Sequence, residues 1–368
     1  MQTQSKYRLL VVRLGAMGDI LHALPAVTAL RKSHLGWIID WVVEPQWRSL
    51  LSAQPDLSAQ PASASAGNRS RTLQPLVDRI HLAPSKAWRR DPLSGQTIRE
   101  IRNLRQTLLA CNYDTVIDLQ GAIRSAVVAR FAGCRRVIGE SEPRERAARW
   151  LYNEQVVTRG SHVIEQDVEL ASAIAGDDLA PVQPWLPVDP AAEAWADQVL
   201  ASTPGQPVPR SVLINPGAGW GAKRWPIERY AAVARDFIQR GYRVLVNAGP
   251  GEEPLLQSFS DQTAGAVTPI TGSLARLIAV TRRVTLVIAG DTGPLHLACA
   301  LGQPVVGIYG PTDPSRNGPF GSRFRVLRSP QSRRDHTRHA VPEAGLLTIT
   351  PDEVLRAADE LLAEEPAQ

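Results

Sequence analysis

The chain has 368 residues, 43% of them hydrophobic and 21% charged, with a formal net charge of +5. That balance excludes a disordered chain, and the length suits two domains better than one. No apolar run reaches the roughly 18 residues of a spanning helix, and the start, MQTQSKYRLLVVRLG, lacks the apolar core and cleavage site of a signal peptide. The expected compartment is the cytosol, where the widely spaced Cys111, Cys134 and Cys299 read as reduced thiols.

RLLVVRL (8–14) and WIIDWVVE (37–44) read as strands, with the helical DILHALPAVTALRKSH between them. The turn joining the first strand to that helix carries a carboxylate, Asp19, where many α/β proteins hold a phosphate. An acid at a helix start is favourable on capping grounds alone. Residues 53–76, rich in Ala, Ser, Pro and Gln, read as a surface insertion, mobile at least in part. KAWRRD (86–91) gathers Lys86, Arg89 and Arg90 around Trp88 in an expected loop. DTVIDLQG (114–121) is a further strand, and Arg124 follows its end, where a sheet would direct it toward a cleft. These cations suit carboxylates or phosphates, with a solvated basic loop as the plain alternative.

Pro/Asp-rich sequence from Gly176 to Pro190, and again TPGQPVPR (203–210), marks a change of domain, set here at 182/183. The second half restarts with SVLINPGAG (211–219), a strand entering a glycine-rich turn. In NPGAGWGAKRWP the small residues permit close backbone approach to a ligand, and Lys223 places a cation beside a phosphate. Trp225 reads as simple packing. In NAGPGEE, Glu252 is placed to meet ribose hydroxyls, although an acid in a first helical turn needs no ligand.

The strongest local signal is VIAGDTGPLHLACALGQPVVGIYGPTDP (287–314). A strand delivers Asp291, Thr292 and Gly293 to a helix start, with His296 within one turn. Free N–H groups and the helix dipole make such a start an anion site. An ordinary N-cap explains one of these polar residues, but not all of them beside two glycines. A diphosphate or sugar site is expected. The final TPDEVLRAADELLAEE reads as a capped helix.

The alternation implies an α/β protein of two Rossmann-like domains facing a central cleft. GxxxxGK[ST], HExxH, CxxC and GxSxG do not stand out, so neither a metal centre nor a serine nucleophile is expected. The arginine-rich basic bias fits an anionic partner, be it nucleic acid, an acidic membrane surface or a phosphorylated substrate. Dispersed basic residues and the lack of a nucleic-acid motif count against the first.

Taken together, LGAMGDILHALPAVTALR, DTVIDLQGAIRSA, NPGAGWGAKRWP and GDTGPLHLACALGQPVVGIYGPTDP resemble the ADP-heptose–lipopolysaccharide heptosyltransferases, glycosyltransferase family 9. The resemblance covers essentially the whole chain outside 53–76. It implies the GT-B fold, with an acceptor domain at 1–182, a nucleotide-sugar domain at 183–350, and a last helix, 351–368, crossing back to the first domain. It also implies metal-independent, inverting transfer of heptose from ADP-heptose to the Kdo residue of Kdo-lipid A. DWVVEP and MGDILHALPAV are most like the enzymes adding the first heptose, whereas NPGAGWGAKRWP is closer to those adding a later one. A later core sugar therefore stays open as an alternative, as does a non-catalytic nucleotide-sugar-binding protein.

On this reading Asp19 is the base, and Lys223, Glu252, Asp291, Thr292, Gly293 and His296 hold the nucleotide sugar. Lys86, Arg89, Arg90 and Arg124 meet the acidic acceptor. No cofactor is required. The lipid acceptor implies a cytoplasmic protein peripherally associated with the anionic inner face of the inner membrane.

Overall fold

The computed structural model describes residues 6–51, 76–201, 209–335 and 339–364. The expected insertion at 53–76 lies outside them except for Leu76. The chain divides into two compact units, Met1–Pro187 and Val188–Gln368.

The first unit contains β1 (Arg8–Val12), α1 (Met17–Ser33), β2 (Ile38–Val43), β3 (Arg79–Leu82), α2 (Ser85–Arg90) and α3 (Gly95–Ala110). It continues with β4 (Thr115–Asp118), α4 (Ile123–Phe131), β5 (Val137–Glu140), β6 (Glu154–Val156) and α5 (Val163–Ala175). Its strands pair in the order β3-β2-β1-β4-β5-β6, all parallel. Parallel strands covered on both faces are apolar throughout, and Leu9 to Val12 of β1 are all buried. Its most extensive helix contact is between α1 and α5, and α1 is buried along most of its length.

The second unit contains α6 (Pro190–Leu200), β7 (Ser211–Asn215), α7 (Ile227–Gln239), β8 (Arg243–Asn247), α8 (Glu253–Gln262) and β9 (Thr268–Ile270). It ends with α9 (Leu274–Thr281), β10 (Leu286–Gly290), α10 (Gly293–Ala300), β11 (Val305–Tyr309), α11 (Pro314–Asn317), β12 (Phe324–Arg328) and α12 (Pro351–Ala363). Strand order is β12-β11-β10-β7-β8-β9, again parallel. Both units therefore repeat the doubly wound dinucleotide-binding order. Its switch points fall between β1 and β4 in the first sheet and between β7 and β10 in the second.

Three sequence expectations need correction. The boundary lies five residues beyond 182/183, because Trp185 stays with the first unit: its N donates to Thr28 Oγ1 at 3.2 Å, and Lys32 sits over its ring. KAWRRD is not a loop but the short helix α2, held by its amphipathic pattern with Trp88 buried and Lys86, Arg89 and Arg90 outside. The last helix, expected to cross back to the first domain, is part of the second unit's core. Val354, Ala357, Ala358 and Leu361 of α12 are buried with Phe237 and Leu286, an apolar face too wide to leave in water.

Candidate active site

In the second unit the end of β7 begins a chain of amides. Asn247 Nδ2, at the end of β8, donates to Asn215 Oδ1 at 2.5 Å. Asn215 Nδ2 donates to Gly217 O and to Thr292 Oγ1, both at 3.3 Å, tying β7 to the start of α10. Thr292 is the N-cap of α10 without using its side chain as a cap; its hydroxyl donates to Gly290 O at 3.1 Å. The amides at Thr292 and Gly293 thus begin a helix whose dipole favours an anion.

Asp291 is the hub beside that helix start. It pairs with Lys223, accepts from Thr312 Oγ1 at 2.6 Å, and lies 3.4 Å from His296 Nε2. Burial works against its charge, but the His296 hydrogen bond and the Lys223 charge prevail and hold the carboxyl well below the usual carboxylate range. Lys223 also lies 5.3 Å from the centroid of the Trp220 ring. Lys223, Asp291, Thr292, Gly293 and His296 are therefore brought together, with the lysine already engaged by a carboxylate.

Glu252 sits at the neighbouring turn after β8, accepting from Gly249 N at 2.8 Å. It packs on Gly217, where an added Cβ would lie 2.2 Å from Glu252 Oε1. A Cβ on Gly221 would strike the backbone of Ala340 at 1.7 Å. The smallness of Gly221 is thus required by protein backbone, not by a ligand alone, whereas at Gly217 the obstacle is the end of a flexible side chain. Gly219, by contrast, faces open space. Trp225 is buried, donates to Ile349 O at 3.0 Å and meets Tyr230 edge-on, the packing role expected for it.

In the first unit Asp19 stands in the first turn of α1 with a third of its side chain exposed. Its Oδ2 accepts from Ala16 N at 3.0 Å, so it does help cap the helix. Arg13 Nη2 and Arg144 Nη1 each approach it to 3.9 Å. Arg144 is brought there by the loop packed on Gly121, where Glu145 N donates to Gly121 O at 2.8 Å. From the end of β4, Gln120 grips the Leu14–Gly15 backbone. Behind it Asp118 accepts from Ser125 Oγ and Tyr152 OH, both at 2.9 Å, and burial pushes it up to about 6.

Arg124 is exposed in the first turn of α4, after the strand adjacent to β1. Lys86, Arg89 and Arg90 lie on α2, after the edge strand β3. Lys86 N and Ser85 Oγ both donate to Glu44 Oε1, at 3.0 and 2.5 Å.

Sequence reasoning passed over Arg13, Gln120, Asp167, Asn215, Asn247 and Thr312. A signal existed for some: a charged Arg13 interrupts an apolar run, and both VLIN and VLVN end in an asparagine before a small-residue turn. For Thr312, 21 residues from Asp291, only the fold supplies the contact.

Asp40, His81 and Cys111 are buried with donor atoms mutually within 4.8 Å, a set able to converge on a metal ion. Two of the three already share a partner in Tyr113, whose hydroxyl is hydrogen-bonded to His81 Nε2 at 2.8 Å and donates to Asp40 Oδ2 at 2.6 Å.

Residues 101–345 match the family described as Glycosyltransferase family 9 (heptosyltransferase). The chain is similar to lipopolysaccharide heptosyltransferase 1 of Escherichia coli K12, 29% identical over 88% of this chain and 94% of that one. It is equally similar to lipopolysaccharide heptosyltransferase 1 of Pseudomonas aeruginosa, 29% identical over 85% of this chain and 81% of that one. Among solved structures it is similar to the E. coli heptosyltransferase WaaC with ADP, with a TM-score of 0.75 and 26% identity over 96% of this chain and 99% of that one. The same enzyme with ADP-2-deoxy-2-fluoro heptose gives a TM-score of 0.74 at the same identity and coverage.

Proposed function

The chain belongs to glycosyltransferase family 9 and is a glycosyltransferase of the GT-B fold with a lipopolysaccharide heptosyltransferase I role; we propose that it transfers L-glycero-D-manno-heptose from ADP-heptose to the Kdo residue of Kdo-lipid A with inversion. The observation that carries the donor half is the cluster at the β7/β10 switch point, where Asp291, Lys223, His296 and Thr292 surround a helix start. Departing ADP builds charge on its diphosphate. Lys223 and the amides of Thr292 and Gly293 would stabilise that charge, with Asp291 and His296 directed to the heptose hydroxyls or the diphosphate and Glu252 to the ribose. The WaaC structures, one with ADP and one with ADP-2-deoxy-2-fluoro heptose, support this donor class.

Asp19 is the proposed base. Inversion needs a carboxylate on the acceptor side to take the proton of the attacking hydroxyl as an oxocarbenium-like centre forms. A partly exposed acid in a turn fixed by Gln120 meets that need. Lys86, Arg89, Arg90 and Arg124, all exposed, are assigned to the acceptor's anionic groups. Among the described residues no helix is long and apolar enough to cross a membrane. Reaching a lipid acceptor would therefore fall to surface attraction, and the proposal includes peripheral association with the anionic inner membrane from the cytoplasmic side.

The test is transfer from ADP-heptose to Kdo-lipid A against transfer to an acceptor already carrying one heptose. Preference for Kdo-lipid A is expected. Preference for the heptosylated acceptor would move the enzyme to a later core sugar, a reading favoured by Ala218 and Gly219 in the Lys223 loop. Transfer to neither, with ADP-heptose still bound, would leave a binding protein. Asp19→Asn should lower kcat by at least about a hundredfold, and near-normal turnover in that variant would remove Asp19 from the role.

A further inference from the structure

One face of the first sheet is covered by α3, α4 and the 3-10 helix Arg146–Leu151. There Leu104, Leu108, Ala126, Ala129 and Ala148 are buried with Val12, Val116 and Val137. Such an outer layer should turn apolar residues inward and leave polar ones to water. α4 departs from that rule, because Ile123 and Val127, one turn apart, are both exposed beside Arg124. On the adjoining 3-10 helix Trp150 is 77% exposed. The two elements pack on each other, with Ile123 N donating to Glu145 Oε2 at 2.8 Å. A single exposed apolar residue needs no explanation, but three on neighbouring elements, one of them a tryptophan, do. Residues 123–150 also hold seven arginines against three glutamates, and Arg124, Arg130, Arg144 and Arg146 are exposed.

We propose that Ile123, Val127 and Trp150 form a platform that inserts into an anionic bilayer beside the turn carrying Asp19, an inference that rests on the reading of a membrane-anchored acceptor. An indole has an apolar body and one N–H donor, so it settles at the headgroup level of a bilayer. The aliphatic pair adds apolar burial, and the arginines meet anionic headgroups. α3 packs on α4, and its exposed Arg99, Arg102 and Arg105 extend the same cationic surface. Three side chains expose too little area for a stable protein partner, which needs roughly 800 Å² on each side. A bilayer needs only a few inserted groups added to charge attraction. The location also fits. Arg144 Nη1 reaches Asp19 Oδ2 at 3.9 Å and Glu145 N donates to Gly121 O at 2.8 Å, so the platform starts where the Asp19 turn ends. A lipid acceptor met there keeps its chains in the bilayer while its sugar hydroxyl faces Asp19.

The experiment is sedimentation of the full chain with vesicles of phosphatidylethanolamine and phosphatidylglycerol, without donor or acceptor. Trp150→Ser should weaken binding about tenfold, and Ile123→Ser/Val127→Ser by a similar factor. Both losses should persist in salt that screens the arginines. On vesicles with brominated acyl chains the wild-type fluorescence should be quenched. Trp150→Phe, which keeps an aromatic ring, should bind normally and lose most of that quenching. No binding by the wild type, wild-type binding by both serine variants, or unchanged quenching in Trp150→Phe overturns the platform. A wild-type dimer that Trp150→Ser dissolves, with vesicle binding unchanged, would assign the surface to a second copy and overturns it too. Weakened vesicle binding in both serine variants of an enzyme that uses neither Kdo-lipid A nor its heptosylated form keeps the platform and removes the acceptor reading. Unweakened binding beside normal transfer to Kdo-lipid A does the reverse.

Discussion

Gln120 closes on Gly15: its Nε2 donates to the Gly15 carbonyl at 2.5 Å, while its Oε1 accepts from Leu14 N at 2.8 Å and Gly15 N at 3.3 Å. One neutral side chain from the end of β4 thus fixes the turn that carries Asp19. The residue type suits the task, because a carboxamide carries a donor and an acceptor on separate atoms that can meet adjacent backbone groups together. Gly15 itself has φ +144°, and a Cβ there would lie 2.7 Å from Trp47 Nε1, so the turn tolerates no side chain.

Gln120→Ala would strand those buried backbone groups, at a cost of about 1–3 kcal/mol. The same change should depress kcat while leaving the donor KM near its normal value, because the groups proposed to hold the nucleotide sugar belong to the other unit. Urea unfolding and steady-state kinetics read the two effects separately. Wild-type stability in Gln120→Ala would dismiss the clamp.

The Lys223–Asp291 pair makes a different prediction. Asp291 is held below its ordinary range, so its contribution to stability is present above the unfolded value near 3.9 and is lost as pH falls through the folded one. Lys223→Ala removes one of the two groups that overcome burial. The stability gap between wild type and Lys223→Ala should be widest above about pH 4 and narrow in stronger acid. At neutral pH the donor KM should rise at least about tenfold if Lys223 makes the proposed charge-assisted contact to phosphate. A pH-independent gap would mean that the lysine acts on stability by packing alone.

Much of this was readable from residue order. Alternating apolar strands and helices gave both sheets, and Asp291, Thr292 and His296 lie within six residues, so one turn of chain almost suffices to bring them together. Long-range partners were not readable. Arg13 meets Asp167 across 154 positions, and Gln120 meets Gly15 across 105; both contacts depend on which strands become neighbours. Trp88 illustrates a local failure. Set among basic residues it looked like part of a loop surface, yet its ring is buried and its Nε1 donates to Glu100 Oε2 at 2.8 Å. The placement of the last helix was implied by the resemblance alone: its apolar face specifies that it packs, but not on which sheet.

Two buried acids should give the first unit an unusual pH dependence. Burial pushes Asp118 up to about 6 and Asp167 up to about 7, against an unfolded value near 3.9. Between those limits the folded chain holds protons that the unfolded chain has released, so these groups favour folding in acid and lose that contribution as pH rises. Asp167→Asn cannot ionise. Relative to wild type it should gain stability steadily from about pH 4 to about pH 7 and level off above. Thermal unfolding across that range checks the sign, and a relative stability that falls with rising pH would refute it.

The charge balance of the chain is concentrated in two consecutive helices, α2 and α3. Residues 85–110, spanning α2 and α3, hold Lys86, Arg89, Arg90, Arg99, Arg102 and Arg105 against Asp91 and Glu100, a net +4 of the chain's +5. All six cations are exposed. Beside them Leu93 is 86% exposed and Ile98 45%, so basic and apolar groups share one surface, as interfacial binding requires. Trp88 adds nothing to that surface because it is turned inward. If this segment supplies the proposed membrane attraction, Arg89→Ala/Arg90→Ala should weaken binding to vesicles containing anionic lipid. At about 1 kcal/mol for each cation near the surface, the loss is roughly thirtyfold at low salt. It should shrink in high salt, where the attraction is screened, and vanish on vesicles of neutral lipid. Leu93→Ser should weaken binding in a manner much less sensitive to salt, because it removes apolar contact instead of charge. Equal binding of the double variant and the wild type to anionic vesicles would assign these arginines to the acceptor's own anionic groups and leave the membrane contact elsewhere.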